Sequence, residues 1–216
     1  CSERINIMIK PEKIISCSIQ ENSLMAVCKK GSIYLTPYAD NIIHFRYNPS
    51  GNNEETTKAG KNCGYKSSVM WGIEAQPDLN IHYDFSKNNS QISYSISGIR
   101  AVFNENKSIS FINKSDKEML ALIDYFMEPA VVLGENTYHI HADEKFFGLG
   151  QHQDGKLNLG GREQIMWHDY SHKGGEIVAV PFMVTNKGYG ILFDNPSRMR
   201  VTPGVEGRTS WQAEVG

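Results

Sequence analysis

The sequence has no excess of charge of either sign and no long apolar run. Its 22 basic and 24 acidic residues leave a formal net charge of only −2 at pH 7. A protein this close to neutrality lacks the electrostatic field that recruits nucleic acid or an anionic membrane surface. We therefore expect neither as a partner. No apolar run approaches the ~20 residues that a spanning helix needs, so no transmembrane helix is predicted.

Cysteine is scarce and unpatterned. Cys1, Cys17, Cys28 and Cys63 show no metal-binding spacing such as Cys-x-x-Cys, and they are too few for a disulfide scaffold in a chain of 216 residues. Cys17 and Cys28 lie in apolar, strand-like segments and are predicted to be buried free thiols. A chain that begins Cys-Ser resembles a bacterial lipoprotein whose signal peptide has been removed, with the lipid on Cys1. This alternative predicts the periplasm or cell surface, and the other alternative is an arbitrary start of the sequence.

Period-two alternation recurs along the first hundred residues and predicts antiparallel β-strands. Ile92, Tyr94 and Ile96 alternate with polar residues, as a strand with one buried face requires. Strands are predicted near residues 4–9, 13–20, 23–28, 31–38, 41–48, 67–74, 79–85, 91–97, 99–104 and 107–113. Turn clusters between them favour a β-sandwich over alternating β and α units.

Two segments depart from this alternation. Residues 48–64 contain too few apolar residues for a strand or an amphipathic helix, and they predict an exposed loop. Residues 116–127 carry apolar residues that suit either a strand or one face of a helix, so periodicity alone leaves both open.

Residues 145–198 form the most distinctive stretch. Two apolar runs, Val178–Thr185 and residues 189–194, are joined by Asn186-Lys187-Gly188, which predicts a β-hairpin. Ahead of them, the run FFGLG combines two aromatic residues with two glycines that permit turns or close backbone approach. The intervening loop is rich in polar and aromatic side chains, the groups that bind a hydroxyl-rich ligand such as a sugar. These residues are Gln151, His152, Gln153, Asp154, Trp167, His168, Asp169, Tyr170 and His172.

Three ordered runs in this stretch resemble a known family. They are FFGLGQHQ (residues 146–153), IVAVPF (177–182) and KGYGILFDN (187–195), and they are similar to the N-terminal domain of family-31 glycoside hydrolases, the α-glucosidases and α-xylosidases. The runs IYLTPY (33–38) and NIIHFRY (41–47) resemble early strands of that domain. The resemblance implies one large antiparallel β-sandwich of the galactose-mutarotase type over residues 1–216, with little helix and a strand at 116–127. A catalytic (β/α)8 barrel is expected after residue 216.

The resemblance also implies a division of labour. A retaining glycosidase needs two carboxyl groups roughly 5 Å apart, and the family carries both on the barrel. No catalytic residue, cofactor or metal is therefore expected in this chain. In the family, the loop before the hairpin reaches over the barrel mouth and contributes an aspartate that binds substrate.

The match to that aspartate is Asp169, flanked by Trp167, His168 and Tyr170. The sequence His168-Asp169 departs from the Trp-Asn-Thr-Asp that the family often has. The resemblance implies that these four residues bind an oligo- or disaccharide. The alternatives are a turn-capping carboxylate for Asp169 and a position in the sandwich core for Trp167.

Two groups of histidines have the composition of metal sites. His139 and His141 would lie on the same face of a strand and could chelate a metal, but no third ligand follows at a suitable spacing. His168, Asp169 and His172 lie in the glycine-rich loop, where spacing alone rarely assembles a site. We expect an exposed strand face and a polar loop instead.

Three functions from different classes remain open. The first is a non-catalytic N-terminal domain that packs on the catalytic barrel of the same chain. The second is a free-standing carbohydrate-binding module with Trp167 and Tyr170 as stacking platform. The third is an aldose mutarotase, which needs a histidine acid and a glutamate base, although no motif places Glu163 or Glu176 opposite a histidine. The first is favoured.

The favoured function predicts an uncovered docking surface. A domain separated from its barrel exposes the surface that the barrel covers. We expect this surface around Phe146, Phe147, Trp167, Tyr170 and the edge formed by residues 178–182.

Overall fold

The structure is a computed structural model that describes most of the chain as β-strands. It describes residues 14–29, 31–48, 69–70, 73–74, 78–88, 91–104, 108–128, 133–139, 141–151, 155–167, 178–194 and 198–213. No helix occurs among them. The strands are β1 (Ile14–Gln20), β2 (Ser23–Cys28), β3 (Gly31–Ala39), β4 (Ile42–Asn48), β5 (Val69–Met70), β6 (Ile73–Glu74), β7 (Tyr83–Lys87), β8 (Ile92–Ile96), β9 (Ile99–Phe103), β10 (Ile109–Asn113), β11 (Glu118–Glu128), β12 (Leu133–His139), β13 (Phe146–Gln151), β14 (Gln164–Met166), β15 (Val178–Thr185), β16 (Gly190–Leu192), β17 (Met199–Val205) and β18 (Arg208–Ala213).

One long antiparallel sheet runs through both halves of the molecule. Its nine strands follow the order β14-β17-β18-β12-β11-β10-β9-β8-β7. Two smaller sheets, β1-β2-β3-β4 and β13-β15-β16, supply further strands, and β5 pairs only with β6. The prediction of an all-β antiparallel sandwich with little helix is confirmed.

The first core lies between the four-stranded sheet and the β7–β11 part of the long sheet. Alternation places Leu24 and Leu35 of the smaller sheet at 0% exposure, together with Tyr94, Ile109 and other apolar residues of the long sheet. The Tyr94 hydroxyl donates to the carbonyl of Asn22. Burial raises the pKa of Tyr94 to about 12, and Tyr83, stacked at 6.0 Å, adds to this shift. The buried hydroxyl is therefore both satisfied and neutral.

The second core lies between the three-stranded sheet and the β14–β17–β18 part of the long sheet. Phe146, Leu149 and Met183 come from the smaller sheet, while Met199 and Val201 come from β17, and all five are at most 3% exposed. Phe146 is 1% exposed, so its expected place on an uncovered docking surface is wrong. Its ring packs in the second core, on the same side of the sheet as its buried partner Thr185 on β15.

An ionisable pair links the edge strand β4 to the residue that follows the end of β16. His44 on β4 places Nε2 3.8 Å from Oδ2 of Asp194, which follows β16. Burial lowers the pKa of His44, Asp194 partly offsets this, and the Arg46 charge adds to the lowering. The neutral imidazole therefore dominates at neutral pH, and the contact is mainly a packed polar one.

Most predicted strands are found, including the one over residues 116–127, where β11 confirms strand over helix. The single strand predicted over residues 67–74 is wrong, because β5 and β6 form a two-residue pair with Gly72 between them in the sequence. The strand predicted near residues 79–85 begins only at Tyr83. Asp78 accepts a bond from the backbone N–H of Asn80 at 2.9 Å, which fixes a turn there.

The cysteine and membrane predictions are tested only in part. Cys17 and Cys28 are free thiols, the first half-buried and the second buried, whereas Cys1 and Cys63 lie outside the described residues. Residues 1–13 and 49–68 also lie outside, with the strand at 4–9 and most of the loop at 48–64. No helix long and apolar enough to cross a bilayer is found in the described part of the chain.

Candidate functional site

The candidate site lies where the glycine-rich strand β13 leads into the loop before β15. β13 and β15 pair antiparallel from Phe146 with Thr185 to Gln151 with Val178. Gly148 and Gly150 have φ values of +102° and +106°. A Cβ added at Gly150 would lie 1.7 Å from the carbonyl oxygen of Val178. The glycines are therefore required for close approach of the two strands, as the sequence predicted.

The first part of the loop folds back along β13. The Asn158 side-chain oxygen accepts bonds from the backbone N–H groups of Phe146 at 3.0 Å and Gly160 at 3.2 Å. The N–H of Leu159 donates to the carbonyl of Phe146 at 2.9 Å, and Leu159 is 2% exposed in the second core. This part of the loop is thus fixed to the sandwich by hydrogen bonds and by a buried anchor.

The short edge strand β14 sets the direction in which Trp167 points. Gln164 and Met166 face the core, whereas Ile165 and then Trp167 alternate to the outer side. Trp167 is 53% exposed, so the alternative of a core position for it is wrong. A large exposed indole at the mouth of a polar loop can stack on the apolar face of a sugar ring.

The other sugar-binding candidates lie outside the described residues. His168, Asp169 and Tyr170 follow Trp167 immediately, and the structure describes the chain again from Val178. The sugar-binding role of Asp169, and its alternative as a turn-capping carboxylate, therefore stay predictions. His152, Gln153, Asp154 and His172 also lie outside the described residues.

The mutarotase hypothesis gains no geometric support from Glu163. Its carboxylate lies 3.5 Å from Nη1 of Arg200, and both side chains are about half exposed. Among the histidines that the structure describes, His44 contacts Asp194, His82 lies 3.7 Å from Asp84, and His141 lies against a backbone carbonyl. Glu163 is thus partnered by a guanidinium instead of an imidazole.

Of the two histidine groups that were considered and not predicted as metal sites, the structure describes only the one with His141, because His168, Asp169 and His172 lie outside the described residues. The Nε2 atom of His141 lies 3.1 Å from the carbonyl oxygen of Glu118, and its backbone N–H donates to Glu144 at 3.0 Å. His141 is therefore committed to a turn between β12 and β13. Within the described ranges, no group of three His, Cys, Asp or Glu residues could hold a metal ion.

The hairpin β15–β16 is held in place by hydrogen bonds at its tip. The turn Asn186-Lys187-Gly188 is confirmed, with the Thr185 N–H donating to the carbonyl of Tyr189 at 3.0 Å. Asn186 accepts from the Lys145 N–H at 2.8 Å, and Lys187 forms two bonds of 2.6 Å to the Asp143 carboxylate. The Lys187 hydrogen bonds are the main cause that lowers the pKa of Asp143. These contacts attach the hairpin tip to the turn before β13.

The outer face of this hairpin is a feature that the sequence only partly revealed. Along β15, Val178, Val180, Phe182 and Val184 alternate outward and are 37–45% exposed, and Leu192 of β16 is 45% exposed. We call these five side chains the β15–β16 face. The expected exposure is confirmed for Val178, Val180 and Phe182, whereas Ala179 and Pro181 between them are partly buried. The expectation of a strand edge is wrong, because β15 is the central strand of its three-stranded sheet. The exposure of Val184 and Leu192 was not predicted. The sequence of β15 is apolar on both of its faces, and such a strand is typical of a sheet that is covered on both sides.

The sequence pattern of one domain family matches residues 32–201, the glycosyl hydrolase 31 N-terminal galactose mutarotase-like domain. The chain belongs to this family. The resemblance of the glycine-rich strand and the hairpin to that domain is thereby confirmed.

Several solved structures share the fold of this chain. A family-31 dextranase from Flavobacterium johnsoniae, complexed with isomaltotriose, superposes with a TM-score of 0.76 at 17% identity, over 96% of this chain and 25% of the dextranase. An α-xylosidase from a soil metagenome, complexed with xylose, gives 0.73 at 20% identity, over 93% and 31%. The cycloalternan-forming enzyme of Listeria monocytogenes gives 0.72 at 12% identity, over 95% and 19%. At these identities the likeness establishes the fold, and the chain spans about a quarter of the dextranase.

Proposed function

We propose that this chain is the non-catalytic N-terminal domain of a longer glycoside hydrolase that acts on α-linked glucosides or xylosides. The observation that carries the proposal is the family match over residues 32–201. The similar solved enzymes, one complexed with isomaltotriose and one with xylose, support an α-linked sugar as substrate. The catalytic acids belong to a (β/α)8 barrel later in the same polypeptide, on which the domain packs.

The domain contributes to the sugar pocket through the loop that begins at Trp167. The exposed indole provides a flat apolar surface, and Asp169 provides a carboxylate that accepts bonds from sugar hydroxyls. His168 and Tyr170 extend the same polar and aromatic surface. The anchoring of the preceding segment by Asn158 and Leu159 supports this role, because a binding loop needs a rigid base.

Steady-state kinetics of the complete enzyme test the proposal. Asp169→Ala should raise KM or lower kcat, because one contact to the sugar is lost while the catalytic acids remain. Asp84→Ala is the matched control, since Asp84 is an exposed carboxylate on β7, in the other half of the sandwich. The 216-residue chain alone should hydrolyse no aryl α-glycoside. Equal kinetics for Asp169→Ala and Asp84→Ala would remove Asp169 from the site, and turnover by the chain alone would refute the non-catalytic role.

A second candidate function, a free-standing carbohydrate-binding module, is favoured by the exposure of Trp167. Such a module would bind isomaltotriose or xylose without a barrel. Calorimetric titration of the chain, with Trp167→Ala as the variant, distinguishes the two functions. Tight binding that is lost in Trp167→Ala favours the module, whereas a docked domain requires the barrel to complete its pocket.

A further inference from the structure

We propose that the β15–β16 face is the surface on which the rest of the polypeptide docks. This inference rests on the proposed function, because its occupant is the catalytic part of the same chain. The face consists of Val178, Val180, Phe182, Val184 and Leu192. It lies on the side of the three-stranded sheet opposite the second core, where Met183 and Thr185 are buried.

The register makes these side chains one continuous surface. Phe182 pairs with Leu192 across the hairpin, and Val184 pairs with Gly190 on one side and Phe147 on the other. Paired residues point to the same side of a sheet, so the half-buried Phe147 extends the face onto β13. The ring of Phe182 lies over Gly190, where an added Cβ would be 2.8 Å from its Cζ atom. A side chain at residue 190 would therefore overlap the position of this ring.

The chemistry of the face permits its burial against a partner. All five members are aliphatic or aromatic, and the nearby charge of Lys187 is paired with Asp143 at the hairpin tip. A partner that covers the face therefore buries no unpaired charge of these residues.

The area of the face favours a domain of the same chain over a second copy. Exposures of 37–45% leave on the order of 400 Å² of apolar surface on these side chains. Interfaces between domains of one chain bury about 600–1,500 Å² in total, or roughly 300–750 Å² on each side. A stable dimer needs about 800 Å² on each partner. The face fits the first range and falls short of the second.

Thiol labelling in the complete enzyme and in the 216-residue chain tests the inference. With the four native cysteines replaced by alanine, Val180→Cys should react with a maleimide in the chain and be protected at least tenfold in the enzyme. Ile15→Cys is the matched control, because Ile15 is an aliphatic strand residue, 65% exposed on β1, and should react in both. Light scattering of the chain should give the mass of a monomer.

The outcomes separate the inference from the function on which it rests. Equal labelling of Val180→Cys in both proteins overturns the docking surface, even if the enzyme hydrolyses α-glycosides. Protection already present in the chain, together with a dimeric mass, assigns the face to a second copy and overturns it as well. Protection in a longer protein that lacks α-glycosidase activity would refute the proposed function and leave the docking surface standing. A gene without a further domain would refute both.

Discussion

Replacing Gly150 with alanine should be one of the most destabilising single-methyl additions in this domain. The new Cβ would lie 1.7 Å from the carbonyl oxygen of Val178, 2.8 Å from its carbonyl carbon and 2.9 Å from the N atom of Val180. All three are backbone atoms of β15, so no side-chain rotation relieves the overlap. Either β13 leaves β15 or the backbone changes its φ of +106°.

The magnitude follows from two contributions. Holding a residue with a side chain in a sparsely populated backbone region costs about 1–3 kcal/mol. Separating the strands near Gly150 breaks about two backbone hydrogen bonds at about 1 kcal/mol each. We expect a loss of about 4 kcal/mol, which corresponds to a decrease in Tm of roughly 10 °C for a domain of this size.

Urea denaturation of the chain, followed by tryptophan fluorescence, measures this loss. Gly207→Ala is the matched control, because Gly207 also has a positive φ of +74° but nothing lies within 4 Å of its added Cβ. The control should cost only about 1 kcal/mol, the backbone contribution alone. If Gly150→Ala and Gly207→Ala cost the same, the close approach of β13 and β15 is refuted.

Three further predictions concern polar contacts that join separate elements. Tyr94→Phe should cost about 1 kcal/mol of unfolding free energy in urea, because the part-buried carbonyl of Asn22 loses its donor. An unchanged midpoint would contradict that bond. Asn186→Ala should cost about 1 kcal/mol, measured in the same way, because it removes bonds to Lys145 and to the turn before β13; a cost of zero would show that the hairpin tip is not held there. Burial lowers the pKa of His44 in the folded protein from a value near 6.5. As the pH falls, the unfolded chain therefore binds this proton at a higher pH than the folded protein does. Tm should therefore decrease as the pH falls below about 6.5 and should level off below the pKa of His44 in the folded protein. The variant His44→Gln should show a smaller decrease. If the variant keeps the full dependence of Tm on pH, His44 is not its source.

The local sequence pattern predicted the positions of the strands better than it predicted which strands pair with each other. The alternation of Ile92, Tyr94 and Ile96 reflects a strand with one face in a core, and such a pattern is visible in sequence because each side chain responds to its own environment. The pairing of β12 with β18 joins residues about seventy positions apart, and no local signal specifies it. The division of one sandwich into two cores was likewise not predictable from alternation.

The site was predictable in its backbone and less so in its surroundings. Gly148 and Gly150 indicated a close approach because only glycine tolerates it, and the structure confirms both. Phe146 was assigned to the docking surface wrongly, since its neighbour Phe147 is equally aromatic and sequence does not reveal which of two adjacent rings points inward. The contact of His44 with Asp194 had no signal, because the two residues come from different sheets.

The place of β18 in the long sheet constrains how the protein can be synthesised. β18 pairs with β12 on one side and with β17 on the other, so the β14–β17 pair joins the remaining strands only through it. It is also the last strand that the structure describes, beyond the end of the family match at residue 201. Residue 213 must therefore emerge from the ribosome before β18 can take its place in the sheet. Until then, the edges of β12 and β17 that pair with β18 stay unpaired. Such edges pair readily with other chains, so a gene shortened at residue 201 should yield aggregates.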